Sequence, residues 1–155
     1  MNMGQQYRGK IVVVTGAASG IGLGIAHAFA EEGAIVCGVD INGVALKSAF
    51  AKSNALHTGS STYVADLSSE VSAIRFAENV IADYGRVDVL VNNARAGSRV
   101  GLLDETEENW NLALGVGLTS AFFASQATIR LMAEYGGCQI INVGSVAAVQ
   151  VTLEA

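Results

Sequence analysis

Ile11-Val12-Val13-Val14-Thr15-Gly16-Ala17-Ala18-Ser19-Gly20-Ile21-Gly22 is the stretch whose reading decides the fold. Its first five residues are apolar and largely β-branched, the composition of a strand buried on both faces. Three spaced glycines follow, and a helical pattern opens at the second of them. Gly16 lets the chain turn tightly, Gly20 lets the backbone approach a pyrophosphate, and Gly22 lets helix and strand pack closely. The free N–H groups and positive dipole end of the helix then face the anion. A Gly-rich turn can also be only a turn. Its place between a strand and a helix, opening a β-α-β unit, is the context that a dinucleotide site needs.

Outward from this stretch the same two kinds of segment alternate. Short apolar runs at 11–15, 35–40, 61–65, 87–92 and 139–143 read as buried parallel strands. Helical spacing fills the gaps. In 20–32, Ile21, Ile25, Ala28 and Phe29 share a face, and Gly33 ends the helix. A shorter helix spans 42–52. In 70–84, Val71, Ile74, Ala77, Val80 and Ile81 form one stripe that stops at Gly85. The longest helix covers 105–135, with Asp104 and Glu107 spaced as a capping box. Gly115 and Gly117 inside it each weaken it by roughly 1 kcal/mol relative to Ala, and Gly136-Gly137 ends it. This alternation predicts a doubly wound α/β sheet, Rossmann-like, with helices on both faces. After the fifth strand, 144–155 supplies no helix to cover it.

Composition sets the bounds. A chain of 155 residues with 51% hydrophobic and 15% charged residues is one folded domain, 1–155, rather than a disordered segment. Nine basic against fourteen acidic residues give a net charge of −5. That balance argues against a nucleic-acid partner, which needs clustered Lys and Arg. Cys37 and Cys138 stand far apart without metal-ligand or redox spacing, and read as buried free thiols of a reducing cytosol. The N-terminal residues hold no signal-peptide h-region, and no apolar run approaches the length of a membrane span. The expectation is a soluble, cytoplasmic protein with no metal and no membrane partner.

The second strand ends at Asp40, about 20 residues past the glycines, where a carboxylate can accept hydrogen bonds from an adenosine ribose. An Asp here can equally cap the next helix, and both roles can coexist. A carboxylate at this place repels a 2′-phosphate, and no Arg or Lys occupies 17–19 or 41–43 to offset it. NAD is therefore expected over NADP.

These features together resemble the short-chain dehydrogenase/reductase family, in its spaced-glycine form. Thr15-Gly16-x-x-x-Gly20-Ile21-Gly22 matches its glycine motif, and Asp66-Leu67 its adenine-contacting position. The stretch from Gly85 to Ala94 matches its fourth strand and Asn-Asn-Ala-Gly motif, except that the last position is Arg95. Trp110 and the apolar helix, then Ile140 to Ser145, continue the resemblance over essentially the whole chain. It implies a five-stranded parallel sheet in the order 3-2-1-4-5, and hydride transfer between a nicotinamide cofactor and an alcohol or carbonyl substrate. Gly16, Ser19, Gly20 and Ile21 are then expected at the pyrophosphate, with Gly22 closing the same cofactor-binding motif, and Asp40 at the ribose. Asp66 and Leu67 are expected at the adenine, and Asn93 and Ala94 at the neighbouring ribose. Ser145 falls on the catalytic serine, although a serine ending a strand can also be a turn residue.

Three departures accompany these matches. Gly117 stands where the family has a catalytic Asn. Arg95 replaces a glycine, and its side chain either points to solvent or crowds the nicotinamide side. The family's Tyr-x-x-x-Lys pair falls beyond Ala155, as do its later strands and substrate lid. The resemblance thus implies the family's N-terminal portion, truncated and inactive by itself. The alternatives are a non-catalytic NAD-binding or association module, or a fragment of a longer active enzyme. The helix bearing Trp110, Leu114, Leu118, Phe122 and Phe123 resembles part of the family's subunit interface, so a homo-oligomer is expected.

Overall fold

A computed structural model describes residues 6–53, 55–56, 59–97 and 100–146. Its frame is a five-stranded parallel sheet in the order β3-β2-β1-β4-β5. The strands are β1 (Ile11–Thr15), β2 (Ile35–Asp40), β3 (Ser61–Val64), β4 (Val89–Asn92) and β5 (Gln139–Asn142). The helices are α1 (Gly20–Glu31), α2 (Gly43–Ala51), α3 (Glu70–Tyr84), α4 (Glu107–Leu114) and α5 (Ser120–Met132). The expected strand order and fold class hold.

Strand alternation builds two cores from one sequence run. Ile11 and Val13 of β1 enter one layer with Cys37, Val39, Leu90 and residues of α3 and α5. Val12 and Val14 enter the other with Val36, Val89, Val91 and residues of α1 and α2. Gly38 makes room on the second face: a Cβ there meets the Phe50 ring at 2.4 Å. Burial in the first layer pushes the Cys37 thiol up to about 12, against a smaller opposing hydrogen bond from Tyr84, so it stays protonated. Cys37 is buried as expected, whereas Cys138 is only half-buried.

Several boundaries and faces differ from the sequence expectations. β3 and β5 each end one residue early, at Val64 and Asn142, and β4 begins at Val89, although the Asp88 N–H still donates to the Ile11 carbonyl at 2.8 Å. The Asp88 carboxylate accepts from the Ile11 N–H at 2.9 Å and pairs with Lys10 and Arg86, tying the entries of β1 and β4 together. α1 buries Gly22, Ala26 and Ala30 rather than the expected stripe; Ala28 is exposed and Ile21 is 70% exposed. Small residues face the sheet because the helix lies close to it, and Ile25 and Phe29 pack from the flanks. In α3 the stripe shifts to Ala73, Phe76, Ala77 and Val80, leaving Val71 exposed.

The long helix is helical almost throughout but is not one α-helix. Thr106, not Asp104, caps it: the Thr106 hydroxyl accepts from the Asn109 N–H at 3.2 Å. Its middle, Gly115–Thr119, is a π-helical turn. Two glycines within five residues weaken the α pattern there, and π turns of this kind recur at functional sites. Contrary to the sequence expectation, Glu107–Arg130 is long and apolar enough to cross a membrane by length and composition. Averaging over a helix tolerates polar residues that interrupt any single apolar run. One side of α5 packs on α3 and β4 through Ala124, Ala127 and Thr128. The other side stays open, with Trp110, Leu118 and Phe122 more than half exposed. β5 is an edge strand with three of its four residues exposed.

Candidate functional site

The chain leaves β1 toward α1 and returns for β4 on the other side of β1, so a crevice opens at the carboxyl ends of these strands. Thr15 closes the floor of that crevice. Its hydroxyl donates to the Val91 carbonyl at 3.3 Å and accepts from the N–H groups of Asn93 and Ala94 at 2.9 and 3.0 Å. The Asn93 amide in turn donates to the Thr15 carbonyl at 2.9 Å. The ends of β1 and β4 are thereby locked together.

Gly16 turns the chain with φ +68°, and its N–H donates to the Val39 carbonyl at 2.8 Å. Gly22 folds back over it: a Cβ on Gly22 meets the Gly16 carbonyl oxygen at 2.0 Å and Asn93 Nδ2 at 2.5 Å. Only glycine fits. Gly20, at φ +55°, faces open space instead. Ser19 is the N-cap residue of α1 in extended conformation, yet its side chain makes no capping hydrogen bond, and the first turn carries no acidic residue. The N–H groups at the start of α1 thus keep their positive potential for an external anion.

Asp40 sits at the end of β2, half-buried. Its carboxylate accepts from the Ala18 N–H at 3.0 Å and the Asn42 N–H at 2.9 Å. The alternative role as the cap of α2 falls to Asn42, whose side chain accepts from the Ala45 N–H at 3.0 Å. Asp66 is exposed and accepts from the Ser68 hydroxyl and N–H; these two bonds hold its carboxyl below the usual range. Leu67 beside it is buried.

Two adjoining cavities use these residues. One, of about 270 Å³, is lined by Asp40, Asp66, Leu67, Leu112 and Val116 among others. The second, of about 390 Å³, is lined by Ser19, Gly20, Ile21, Gly22 and Asn93. Gly16, Asp40, Ala94 and Arg95 line both. Ile21 is exposed here because it faces the second cavity, not the core. All ten residues expected at a dinucleotide are therefore brought to one crevice. Ser145 follows β5 at the same sheet edge; it is exposed and lines neither cavity. Gly117, in the π turn, lines a separate apolar groove of about 770 Å³ between α5 and β5. A Cβ at Gly117 meets nothing within 4 Å, so the Gly is not required by packing.

The short chain dehydrogenase family model matches residues 10–154. The chain belongs to this family. It is 38% identical over 143 residues to the D-threitol dehydrogenase of Mycolicibacterium smegmatis, covering 90% of this chain and 54% of that enzyme. It is 33% identical over 144 residues to a 2-dehydro-3-deoxy-D-gluconate 5-dehydrogenase of Dickeya dadantii, covering 92% and 56%. Among solved structures, NAD+-bound xylitol dehydrogenase superposes with a TM-score of 0.87 at 32% identity, over 96% of this chain and 57% of that one. The chain spans little more than half the length of these short-chain dehydrogenases.

Two features of this short-chain dehydrogenase site were missed by sequence reasoning. Thr15 is expected as the strand end that opens the glycine motif, but its hydroxyl clamp on β4 is not; a hydroxyl closing an otherwise apolar buried run is the available signal. Arg95 was placed at the nicotinamide side or in solvent. It is exposed, but lines both cavities together with Asp40.

Proposed function

We propose that these residues, as one dinucleotide-binding domain spanning 1–155, form the cofactor-binding part of an oxidoreductase. Its reaction is hydride transfer between a nicotinamide cofactor and an alcohol or carbonyl substrate. The observation that carries this reading is the cradle around Gly16 and Gly22, where a side chain on Gly22 meets backbone at 2.0 Å beside an uncapped helix N-terminus. The room for an anion at these N–H groups is the adjoining cavity of about 390 Å³, lined by Ser19, Gly20 and Ile21.

Gly16, Ser19, Gly20 and Ile21 hold the pyrophosphate, and Gly22 lets α1 pack against the Gly16 turn beside it. Asp40 receives the adenosine ribose hydroxyls, Asp66 and Leu67 border the adenine, and Asn93 and Ala94 meet the second ribose. The nicotinamide supplies the hydride acceptor or donor when bound. Ser145 orients the substrate oxygen by hydrogen bonding. NAD is taken in preference to NADP, because two backbone N–H groups hold the Asp40 carboxylate at the ribose cavity and Arg95, which lines the same cavity, makes no ion pair among the described residues that would neutralise it. Like-charge repulsion at a partly exposed place is worth on the order of 1–2 kcal/mol. The net charge of −5 speaks against nucleic acid, and the free thiols support a reducing, cytoplasmic setting.

The test is calorimetric titration of NAD and NADP against the parent protein and Asp40→Ala. NAD binding more tightly than NADP, with the gap narrowed by Asp40→Ala, supports the reading. Equal affinities in the parent protein sink the preference, and no binding of either sinks the site.

A further inference from the structure

The two cavities carry an unusual charge balance. Their lining contains two carboxylates, Asp40 and Asp66, and one cation, Arg95. Both carboxylates are engaged by hydrogen bonds from their own loops: Asp40 by Ala18 and Asn42, Asp66 by Ser68. Among the described residues, Arg95 makes no ion pair with either, since the ion pairs found there all involve Asp88. Arg95, exposed, thus lines both cavities together with Gly16 and Asp40, with its charge uncommitted.

A dinucleotide brings at least two negative charges into a wall whose fixed side chains sum to −1. The dipole end of α1 offsets about half a charge. From this charge balance we infer that Arg95 is a phosphate-reading residue of the site, binding a phosphate of the dinucleotide through its planar, multi-donor guanidinium. The inference rests on the cofactor reading above. It reaches further, because the phosphate contact comes from a side chain 79 positions after Gly16, outside the glycine loop. Two phosphates lie within the chemistry of this junction, the pyrophosphate and a 2′-phosphate, and the experiment separates them.

Adenosine, ADP-ribose, NAD and NADP are titrated calorimetrically against the parent protein, Arg95→Ala and Arg95→Lys, at low and high salt. Thermal unfolding checks that the variants keep their fold, as expected for an exposed side chain. Charge-assisted hydrogen bonds imply that Arg95→Ala weakens phosphate-bearing ligands about ten- to a hundredfold. Adenosine affinity stays unchanged, the salt dependence becomes shallower, and Arg95→Lys recovers part of the loss. Equal losses for ADP-ribose, NAD and NADP place the contact at the pyrophosphate; a loss confined to NADP places it at the 2′-phosphate. Unchanged affinity for all three, or an equal loss for adenosine, overturns the inference while NAD binding to the parent protein keeps the site reading intact. A parent protein that binds no dinucleotide overturns both.

Discussion

The Asp40 carboxylate accepts the backbone N–H of Ala18 at 3.0 Å, joining the end of β2 to the glycine turn that follows β1. Its second oxygen takes the Asn42 N–H at 2.9 Å. One side chain therefore shapes the glycine turn as well as lining the cavities beside it. Asp40→Ala removes both acceptors, at a cost of about 1–3 kcal/mol to local order. The Ala18 and Asn42 amides should then exchange with solvent at least tenfold faster. Unaltered exchange at Ala18 would show that the turn holds its shape without Asp40.

The two glycines of the loop differ in what they tolerate. Gly22→Ala drives a methyl into the Gly16 carbonyl, which is backbone and cannot swing away. Overpacking of this kind costs about 1–3 kcal/mol or more. Gly20→Ala meets no neighbour within 4 Å and bears only the strain of φ +55°, about 1–2 kcal/mol. Urea unfolding should rank Gly22→Ala as the less stable variant. The reverse ranking contradicts the packing argument.

Burial alone would raise the Asp88 carboxyl, but the Ile11 N–H, Arg86 and Lys10 together hold it below the usual range. A lowered folded value means that the ionised form is favoured by folding. Its contribution is present above about pH 4, where the unfolded carboxyl is ionised, and is lost as pH falls through the lower folded value. Asp88→Asn should lose about 1–3 kcal/mol at neutral pH and unfold with a shallower dependence on acid. An acid limb with the parent's steepness in Asp88→Asn excludes this carboxyl as its source.

The outer face of α4, the π turn and α5 carries Trp110, Leu118 and Phe122, each more than half exposed. Apolar surface of this extent on a helix favours burial against another surface. A second copy of this chain is the expected occupant, so light scattering at micromolar concentration should give a mass above 16.0 kDa. Leu118→Glu with Phe122→Glu should return it to the monomer. A clean monomer for the parent protein removes the case for association.

The 155 residues contain no Tyr-x-x-x-Lys. General acid–base catalysis contributes about 10²–10⁴-fold, and a serine hydroxyl cannot replace the acid. This chain by itself should therefore turn over no alcohol or ketone when NADH is followed spectroscopically. NADH formation that disappears in Ser145→Ala refutes this and requires an acid supplied by another group.

Local spacing carried the strand–glycine–helix unit, the alternation of strands and helices, and the parts of Gly16, Gly20, Gly22 and Asp40, because each depends on neighbours within a few positions; the strand order and the other residues expected at a cofactor came from the family resemblance. The glycine pattern needs only the turn it makes, and Asp40 needs only to end its strand. What depended on tertiary structure was which side chains share a surface after distant segments pack. Arg95 meets Asp40 at one cavity only because β4 lies beside β1, which no window around 17–19 or 41–43 reveals. Thr15 becomes a clamp for the same reason. The buried stripe of α1 shifted to Gly22, Ala26 and Ala30 because close approach to the sheet selects the smallest side chains, a constraint that apolar periodicity alone does not encode.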